Sequence, residues 1–391
     1  MDFEFTAGEE RFRAEVRQFL AQQLPGDWAD RAFTGDVDPE EREALAKRVT
    51  KQLAQREWLA MAWPKEFGGL DATHMQQLIY NEETAYTAMP GGGGMGVAWV
   101  GPAVMLYGSD EQKARYLPRI TNGDDVWCTL YSEPGAGSDL ASLQTRAVRD
   151  GDEYVINGQK IWTSGGHLAN MGWLAARTDP NAPKHRGIST FVVPMDTPGL
   201  TVRPLVNLAG EHNFNEVYFD DVRVPAENLV GVENRGWYQV ATALDFERSG
   251  VGSYATGRRN IERLVAAAKV DPSLVERSPA ARYELADRWI ELQVGFNIAY
   301  RIPFLQSQGA IPNHEASVSK LYGSELSQRI ASTGMHLLGL DGQVVPGSPH
   351  AKLGGAFARQ YMESVSSTIA AGTSEIQRNI IAQRGLGLPR G

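Results

Sequence analysis

A glycine-rich turn near the middle of the chain is the first segment whose composition points to chemistry. It reads Ser132-Glu133-Pro134-Gly135-Ala136-Gly137-Ser138-Asp139. Glycine has no side chain, so the backbone of residues 134–137 can approach a planar ring or a phosphate group closely. The segment therefore predicts a loop that could cradle such a group.

A second run of four glycines, residues 91–94, lacks the context of a nucleotide-binding loop. No β-strand pattern precedes it and no Gly-Lys-Ser/Thr follows it, so neither the mononucleotide nor the dinucleotide fingerprint is met. We interpret the run as a flexible loop that ends the preceding helix.

The metal-binding residue types are few and dispersed. The single cysteine, Cys128, excludes intrachain disulfides and fits a reducing cytosol. We interpret it as a small buried hydrophobic residue. The histidines show no paired spacing such as His-x-x-x-His, so we expect no metal site and mostly structural or surface roles. They are His74, His167, His185, His212, His314, His336 and His350.

Helical patterns occupy both ends of the chain. In the N-terminal part, Phe12, Val16, Phe19 and Leu20 share one face of an amphipathic helix over residues 9–24. After Gly236 the same periodicity returns, with one apolar face formed by Ile261, Leu264, Val265 and Ala268. Further helical segments are predicted over residues 39–60, 73–88, 281–304 and 314–340.

The middle of the chain has a composition typical of β-strands. Short runs rich in β-branched and aromatic residues cover 154–156, 190–193 and 216–219, bounded by Gly, Pro, Asp and Asn. Asp150-Gly151 is a favourable hairpin turn before the first of these runs. We therefore predict an α+β fold with three domains. They are a helical domain over residues 1–125, a β domain over 126–235 and a helical domain over 236–391.

Composition restricts the possible partners and compartments. The 391 residues are 42% apolar and 22% charged, as in an ordinary soluble protein. The net charge of −9 argues against nucleic acid as a partner, because phosphate backbones require a basic surface. The acidic N-terminus does not resemble a signal peptide, and no run of about 18 apolar residues predicts a membrane span. We expect a cytoplasmic protein.

Five segments, taken in order, resemble signatures of the acyl-CoA dehydrogenase family and together extend over most of the chain. The resemblance implies a helical N-terminal domain, a middle β-barrel or sandwich domain and a C-terminal four-helix bundle. It also implies FAD as the cofactor and an acyl-CoA thioester as the substrate. The segments are residues 107–118, 131–139, 157–164, 220–225 and 370–378.

The resemblance assigns roles to individual residues near the flavin. Trp162 would stack beside the isoalloxazine ring, although an isolated tryptophan would more often be a core residue. Ser164 would hydrogen-bond near the hydride-accepting nitrogen, and Ser138 matches a residue near the coenzyme A pyrophosphate. The implied cofactor-binding residues are Thr129, Tyr131, Ser132, Trp162, Ser164, Thr373 and Glu375.

The catalytic base is the main departure from the family pattern. Dehydrogenation requires a base for the α-proton and hydrogen bonds to the developing enolate oxygen. The family's usual glutamate directly precedes a Gly-Thr pair, and here that position is Ala371. In a minority of members, including isovaleryl-specific enzymes, the glutamate comes from an early C-terminal helix, and Glu247 matches that position. We assign Glu247 as the base and Arg248 as a neighbour that organises the electrostatics; the alternative is a surface pair between these two residues.

Replacement of the usual glutamate by Ala371 leaves its backbone N–H in place. In the family this N–H, with a flavin ribityl hydroxyl, binds the thioester oxygen, so the oxyanion donor can survive. The small residues Ala370, Ala371 and Gly372 should also widen the acyl pocket. We therefore expect a bulky, branched or steroid-derived acyl group.

Two further departures concern the neighbouring subunit. Many homotetrameric members carry Arg-x-x-Phe-Gly after the first C-terminal helix, and this chain has Ala-Ala-Lys-Val-Asp-Pro-Ser at residues 267–273. The family's Gly-Gly-x-Gly turn is altered to Gly-Leu-Asp-Gly at residues 339–342. This pattern resembles heteromeric actinobacterial members, some acting on steroid side-chain thioesters in lipid metabolism. We expect a homologous second subunit in a heterotetramer, with a homotetramer as the alternative.

Two other functions are compatible with the same residues. A non-catalytic or FAD-sharing scaffold subunit would explain Ala371 as a true loss of the base. A flavin oxidase would use oxygen in place of the electron-transfer flavoprotein, or similar acceptor, that the resemblance implies. Turnover of a Glu247→Gln variant distinguishes the scaffold subunit from the dehydrogenase, and oxygen consumption distinguishes the oxidase from it.

Overall fold

The computed structural model describes residues 4–243, 249–277 and 279–389, with the backbone alone at 241–243 and 279. Glu247 and Arg248 therefore lie outside the described residues. The chain divides into two compact units. The first unit is Met1–Ala46, Ala72–Pro90 and Arg248–Gly391, and the second is Lys47–Asp71 and Gly91–Glu247.

The regular elements follow one another in the order helices, strands, helices. The helices are α1 (Ala7–Gln23), α2 (Trp28–Thr34), α3 (Pro39–Gln55), α4 (His74–Tyr86), α5 (Gly101–Tyr107), α6 (Asp110–Thr121), α7 (Gly236–Ala243), α8 (Val251–Val270), α9 (Ser273–Glu276), α10 (Pro279–Ser307), α11 (His314–Leu338), α12 (Ala356–Ser367) and α13 (Ser374–Ile380). The strands are β1 (Trp127–Leu130), β2 (Arg146–Asp150), β3 (Glu153–Lys160), β4 (Met171–Arg177), β5 (Ile188–Pro194), β6 (Leu200–Leu205), β7 (Phe214–Pro225) and β8 (Leu229–Val230).

Helix α1 of the first unit begins where its sequence supplies a cap. The Thr6 hydroxyl accepts a hydrogen bond from Glu9 N–H, and the Glu9 carboxylate accepts one from Thr6 N–H. This reciprocal arrangement satisfies backbone donors that the first helical turn leaves free. Val16, Phe19 and Leu20 are buried as predicted.

One charged residue, Arg13, is buried on the same face of α1, which the apolar pattern did not predict. Its guanidinium lies 3.1 Å from Glu82 and 2.6 Å from Glu83, both on α4. A buried charge is tolerated when it is paired and hydrogen-bonded.

The C-terminal helices of the first unit pack around one apolar core. Helices α8, α10 and α11 contact each other, and α12 packs on α11. The predicted apolar face of α8 contributes Ile261 and Leu264, which meet Leu292 of α10 and Ile330 of α11. These contacts explain why the helical periodicity of this part of the sequence is strong.

The second unit contains an eight-stranded sheet with the order β6-β7-β3-β2-β4-β5-β8, and β1 pairs with β4 in parallel. The predicted hairpin is present: β2 and β3 pair antiparallel, Asp150 faces Glu153, and Gly151 has a φ of +64°. A positive φ is accessible to glycine without steric cost. The α+β prediction, with helices on both sides of a sheet-forming segment, is confirmed, while the boundaries near residues 125 and 235 stay a prediction.

Candidate active site

The predicted cofactor residues of the second unit begin on strand β1 and continue into the glycine-rich turn. Thr129 lies in β1, opposite Trp173 of β4. Tyr131 is buried, and its ring stacks on Trp99 with a centroid distance of 6.0 Å. Burial raises the pKa of Tyr131, so its phenol stays protonated at neutral pH. Ser132 is half-buried where the turn begins.

The turn leaves open space beside its glycines. Glu133 and Ala136 exchange two backbone hydrogen bonds of 3.0 Å, which close the turn. No described atom lies within 4 Å of the place where a side chain at Gly135 or Gly137 would be. Packing within the chain therefore does not require glycine here, and the open space leaves room for close approach of a ligand. Ser138 follows the turn and is exposed.

A buried ion pair anchors the segment before the turn. Lys160 Nζ lies 2.8 Å from Glu133 Oε1, and it also donates to the carbonyl oxygen of Tyr131 at 3.0 Å. Glu133 accepts further hydrogen bonds from the backbone N–H groups of Gln144 and Thr145, at 2.6 and 2.8 Å. Burial alone would raise the pKa of Glu133, but Lys160 and these donors together hold that pKa below its usual value. The carboxylate is thus ionised and fully paired.

A backbone hydrogen bond joins the two segments that the sequence predicts to face the flavin. Ile161 N–H donates to the carbonyl oxygen of Ser132 at 2.9 Å. Trp162 directly follows Ile161 and Ser164 comes two residues later, so this hydrogen bond places the segment that carries them beside Ser132. Both side chains are exposed.

Trp162 combines exposure with an unusual backbone. Its φ is +62° and 57% of the residue is exposed, while its ring meets Phe214 edge-on at 5.9 Å. Bulky residues rarely adopt the left-handed region, and such strain of order 1–3 kcal/mol concentrates at functional sites. Beside it, Thr163 is buried, and its Oγ1 has no hydrogen-bond partner among the described residues. These features fit a ligand-binding role better than core packing.

In the first unit, Ala371 forms a second strained position. Its φ is +53°. Gln377 Nε2 donates to the carbonyl oxygens of Ala371 and Gly372, at 3.2 and 3.3 Å, and Lys320 Nζ donates to Gly372 at 2.7 Å. The carbonyl oxygens of the loop are thus held, whereas no described residue accepts a hydrogen bond from the Ala371 N–H.

Thr373 and Glu375 follow in the same segment and line a cavity of about 750 Å³. Thr373 caps α13 by accepting from Ile376 N–H at 3.2 Å. Hydrogen bonds from its own backbone N–H and from Thr373 hold the pKa of Glu375 below its usual value. Ser374 also lines the cavity, and its hydroxyl is buried without a partner in the part of the chain that the structure describes. A polar ligand could satisfy this hydroxyl.

The structure thus groups the predicted residues by unit. Cofactor candidates of the second unit lie on two hydrogen-bonded segments, and those of the first unit are adjacent in one loop. The sequence reading missed Glu133 and Lys160 as a pair, although each lies inside a motif that it singled out. No local signal marked the pair, because Glu133 and Lys160 are 27 residues apart and each charge alone is typical of a surface residue.

Two histidines that the sequence treats as isolated form a pair. The rings of His167 and His212 stack with centroids 3.9 Å apart and an angle of 22° between their planes. Within the described ranges, no group of three or more histidine, cysteine, aspartate or glutamate residues could hold a metal ion. In the same ranges, no helix is both long and apolar enough to cross a membrane.

Three family models match consecutive parts of the chain. The acyl-CoA dehydrogenase N-terminal domain matches residues 6–124, the middle domain residues 128–222 and the C-terminal domain residues 234–386. Among curated proteins, acyl-CoA dehydrogenase IpdE1 of Mycobacterium tuberculosis is 36% identical over 387 residues. The match covers 97% of this chain and 98% of that protein.

Solved structures give the same relationship. The Tcur3481-Tcur3483 steroid ACAD is 37% identical with a TM-score of 0.89, and the match covers 100% of both chains. The ChsE4-ChsE5 complex from Mycobacterium tuberculosis is 36% identical with a TM-score of 0.88, again over 100% of both chains.

Proposed function

The chain belongs to the acyl-CoA dehydrogenase family of FAD-dependent oxidoreductases, and we propose that it dehydrogenates a bulky, branched or steroid-derived acyl-CoA. The observation that carries the proposal is the backbone of Ala371. Its N–H has no acceptor among the described residues, so it is available to donate a hydrogen bond to an oxyanion, and its left-handed φ gives the peptide an uncommon orientation. The donor would thus be kept although the glutamate side chain is absent.

Residues of the second unit fit the family's cofactor. FAD, when bound, supplies the acceptor for the hydride that leaves the substrate β-carbon. The open turn at Gly135 and Gly137 and the exposed, strained Trp162 fit a planar ring system. Thr129, Tyr131, Ser132 and Ser164 would hold it there. Thr373 and Glu375 of the first unit are assigned to the cofactor by the resemblance alone.

The proton transfer requires a carboxylate that Ala371 cannot supply. Glu247 occupies the alternative position known from the resemblance, and we assign it to take the α-proton as the α C–H bond breaks. The Ala371 N–H would donate a hydrogen bond to the thioester oxygen, where negative charge develops. Arg248 would stabilise the ionised form of its neighbour.

Small residues support a bulky acyl group. Ala370, Ala371 and Gly372 leave more room than the glutamate they partly replace. The solved structures at 36–37% identity include one described as a steroid ACAD. A steroid-derived thioester is therefore the first substrate class to test, followed by branched acyl-CoA thioesters.

The two departures from the homotetrameric pattern support a second subunit. Lys352 Nζ lies 3.2 Å from Asp271 and 3.3 Å from Asp341, so one lysine ties both altered segments together. Leu340 is 82% exposed at the position of the family's second turn glycine. Two carboxylates and a leucine side chain are poorly suited to a flavin diphosphate, which needs positive charge and close backbone approach.

A homologous partner would supply the missing contacts in a heterotetramer with one FAD site per pair. The chain should then bind little flavin when it is expressed alone, and it should gain flavin when it is co-expressed with its partner. A stoichiometrically flavinylated homotetramer of the lone chain contradicts this part of the proposal. We place the enzyme in the cytoplasm, with electron-transfer flavoprotein or a similar acceptor.

The test of the activity is a Glu247→Gln variant in the reconstituted complex. Flavin content should be kept, while turnover of a steroid-derived or branched acyl-CoA falls roughly 100-fold or more. Glu276→Gln, at an exposed glutamate of the first unit, is the matched control and should leave turnover unchanged.

Ala371 also favours a second candidate, a non-catalytic scaffold subunit whose partner performs the chemistry. Unchanged turnover in the Glu247→Gln complex would establish that alternative and refute the assignment of the base. Comparing oxygen consumption with reduction of an artificial electron acceptor distinguishes a flavin oxidase from a dehydrogenase.

A further inference from the structure

The side chain of Asn215 is the centre of a hydrogen-bond network beneath the Trp162 segment. It is fully buried. Its Nδ2 donates to the carbonyl oxygen of Thr163 at 3.0 Å and lies 3.2 Å from His167 Nδ1. Its Oδ1 lies 2.8 Å from His212 Nε2. Every polar atom of this amide therefore faces a specific partner.

The network fixes which atoms carry protons. A carbonyl oxygen only accepts hydrogen bonds, so the amide nitrogen of Asn215 must face Thr163. The same nitrogen then faces His167 Nδ1, which must accept and hence carries no proton. His212 Nε2 must donate to Oδ1 of Asn215. In this arrangement His167 is neutral, and its ring can stack on that of His212 without repulsion between charges.

The backbone on either side of Asn215 extends the contact. Asn215 and Thr163 exchange two backbone hydrogen bonds of 3.0 Å, and Gly165 N–H donates to the Asn213 carbonyl at 3.0 Å. Phe214 packs edge-on against Trp162. Strain of this kind persists only where surrounding contacts determine the conformation. The contacts of Thr163 therefore hold its neighbour Trp162 at the strained φ of +62°.

We propose that Asn215, oriented by the stacked pair His167 and His212, is the positioning residue that holds residues 162–164 in their flavin-facing conformation. The inference rests on the proposed function only in assigning that segment to the flavin. Asn215 touches neither substrate nor reacting atoms, and it acts through the Thr163 backbone.

The network should depend on pH. Protonation of His167 at Nδ1 would place a donor against a donor at Asn215 and a charge against His212. Burial, and then the charge of His212, lower the pKa of His167 from its usual value of about 6.5. The unfolded chain therefore takes up the proton more readily, so the stabilisation is complete above about pH 6.5 and is lost as the pH falls through the lower folded pKa.

Other ionisable groups on these segments are already engaged. Glu211 accepts a hydrogen bond from Asn213 Nδ2 at 3.0 Å, and Glu216 accepts one from the Tyr218 hydroxyl at 3.0 Å. Among the described residues, His212 is the ionisable group whose charge acts on His167. A pH response of the segment is therefore assigned to the histidine pair.

The first test uses hydrogen exchange of the full chain without flavin, followed by mass spectrometry of peptides covering residues 161–168. Asn215→Leu keeps the size of the side chain and removes its hydrogen bonds, so protection of these amides should fall about 10-fold. Asn213→Ser, at the exposed neighbouring asparagine, is the matched control and should leave protection unchanged. Equal protection in the two variants overturns the proposal.

A second measurement needs no variant and covers the case in which Asn215→Leu does not fold. In the wild-type chain, exchange of residues 161–168, corrected for intrinsic rates, should accelerate between pH 7.5 and 5.5. A wild-type segment that shows no pH response overturns the proposal.

Flavin affinity separates this inference from the proposed function. In the reconstituted complex, Asn215→Leu should weaken FAD binding about 10-fold at pH 7.5. This is the loss of affinity expected when one or two hydrogen bonds that order residues 162–164 are removed. Unchanged affinity together with unchanged exchange refutes the positioning role alone. A wild-type complex that binds no FAD, while its exchange still responds to Asn215→Leu, refutes the flavoprotein assignment and leaves the network intact.

Discussion

Glu133 and Lys160 form an ion pair of 2.8 Å in which the lysine side chain is 0% exposed and the glutamate side chain 8%. The pair lies between the two segments assigned to the flavin, because Lys160 also holds the carbonyl oxygen of Tyr131. Breaking a buried pair leaves one charge without compensation, which costs far more than the pair contributes when intact. The stability of the second unit should therefore depend on both partners together.

Lys160→Met should lower the free energy of unfolding by about 3–5 kcal/mol, because the Glu133 carboxylate is left buried without its cation. Urea unfolding of the full chain measures the change. Glu133→Gln added to Lys160→Met should recover part of the loss, since no unpaired charge then stays buried, while the glutamine NH2 cannot accept one of the two backbone hydrogen bonds from Gln144 and Thr145. Arg223→Met, which removes an exposed pair with Asp150 and Glu153, is the control and should cost less than about 1 kcal/mol. Equal costs for the buried and exposed pairs contradict the interpretation.

A glutamate at position 371 should substitute for Glu247. In the Glu247→Gln background, introducing Ala371→Glu returns a carboxylate to the position that the family usually employs. Turnover of a straight-chain acyl-CoA should rise at least about 10-fold above that of Glu247→Gln alone. Flavin content, read from the visible spectrum, shows that both complexes are loaded. If the double variant stays as inactive as the single one, the relocation of the base is wrong.

Trp162 should matter for cofactor binding and hardly at all for stability. Trp162→Gly removes an exposed side chain and relieves the left-handed φ, so the urea midpoint should not fall. Affinity of the reconstituted complex for FAD should drop, because the stacking surface is gone. Trp173→Ala, at a fully buried tryptophan of β4, should instead cost about 3–5 kcal/mol. A large loss of stability in Trp162→Gly would make Trp162 a core residue.

Cys128 should be unreactive in the folded protein. Burial raises the pKa of its thiol to about 12, and Sγ lies 3.6 Å from the Met195 sulfur. The nucleophilic thiolate is therefore nearly absent at pH 8. Modification by a thiol reagent at pH 8 should occur only after denaturant is added, when the pKa returns towards its usual value. Rapid labelling of the native chain would show that β1 is accessible to solvent.

Local patterns were sufficient for much of the fold. The apolar faces of α1 and α8 and the Asp150-Gly151 hairpin depend on residues within a few positions of each other. Periodicity and turn chemistry therefore specify them without knowledge of the rest of the chain. The helix–sheet–helix order and the family follow from such patterns and from motifs in sequence order.

Pairing of distant residues was not accessible in the same way. Arg13 lies in an apolar helix face, and only the position of α4 shows that Glu82 and Glu83 neutralise it. His167 and His212 read as unrelated residues until β7 places Asn215 between them. Neither spacing nor composition encodes a contact that depends on strand order.

The sequence by itself determined the family and the α+β class, because both follow from contiguous motifs and local patterns. It also predicted Glu247 as a relocated base and the segments that carry the cofactor residues. Only the tertiary structure decided how those segments are held. It showed the strained backbones of Trp162 and Ala371, the Glu133–Lys160 pair and the Asn215 network. The physical reason is that motifs record which groups are present, whereas orientation and burial arise when residues far apart in the chain pack together.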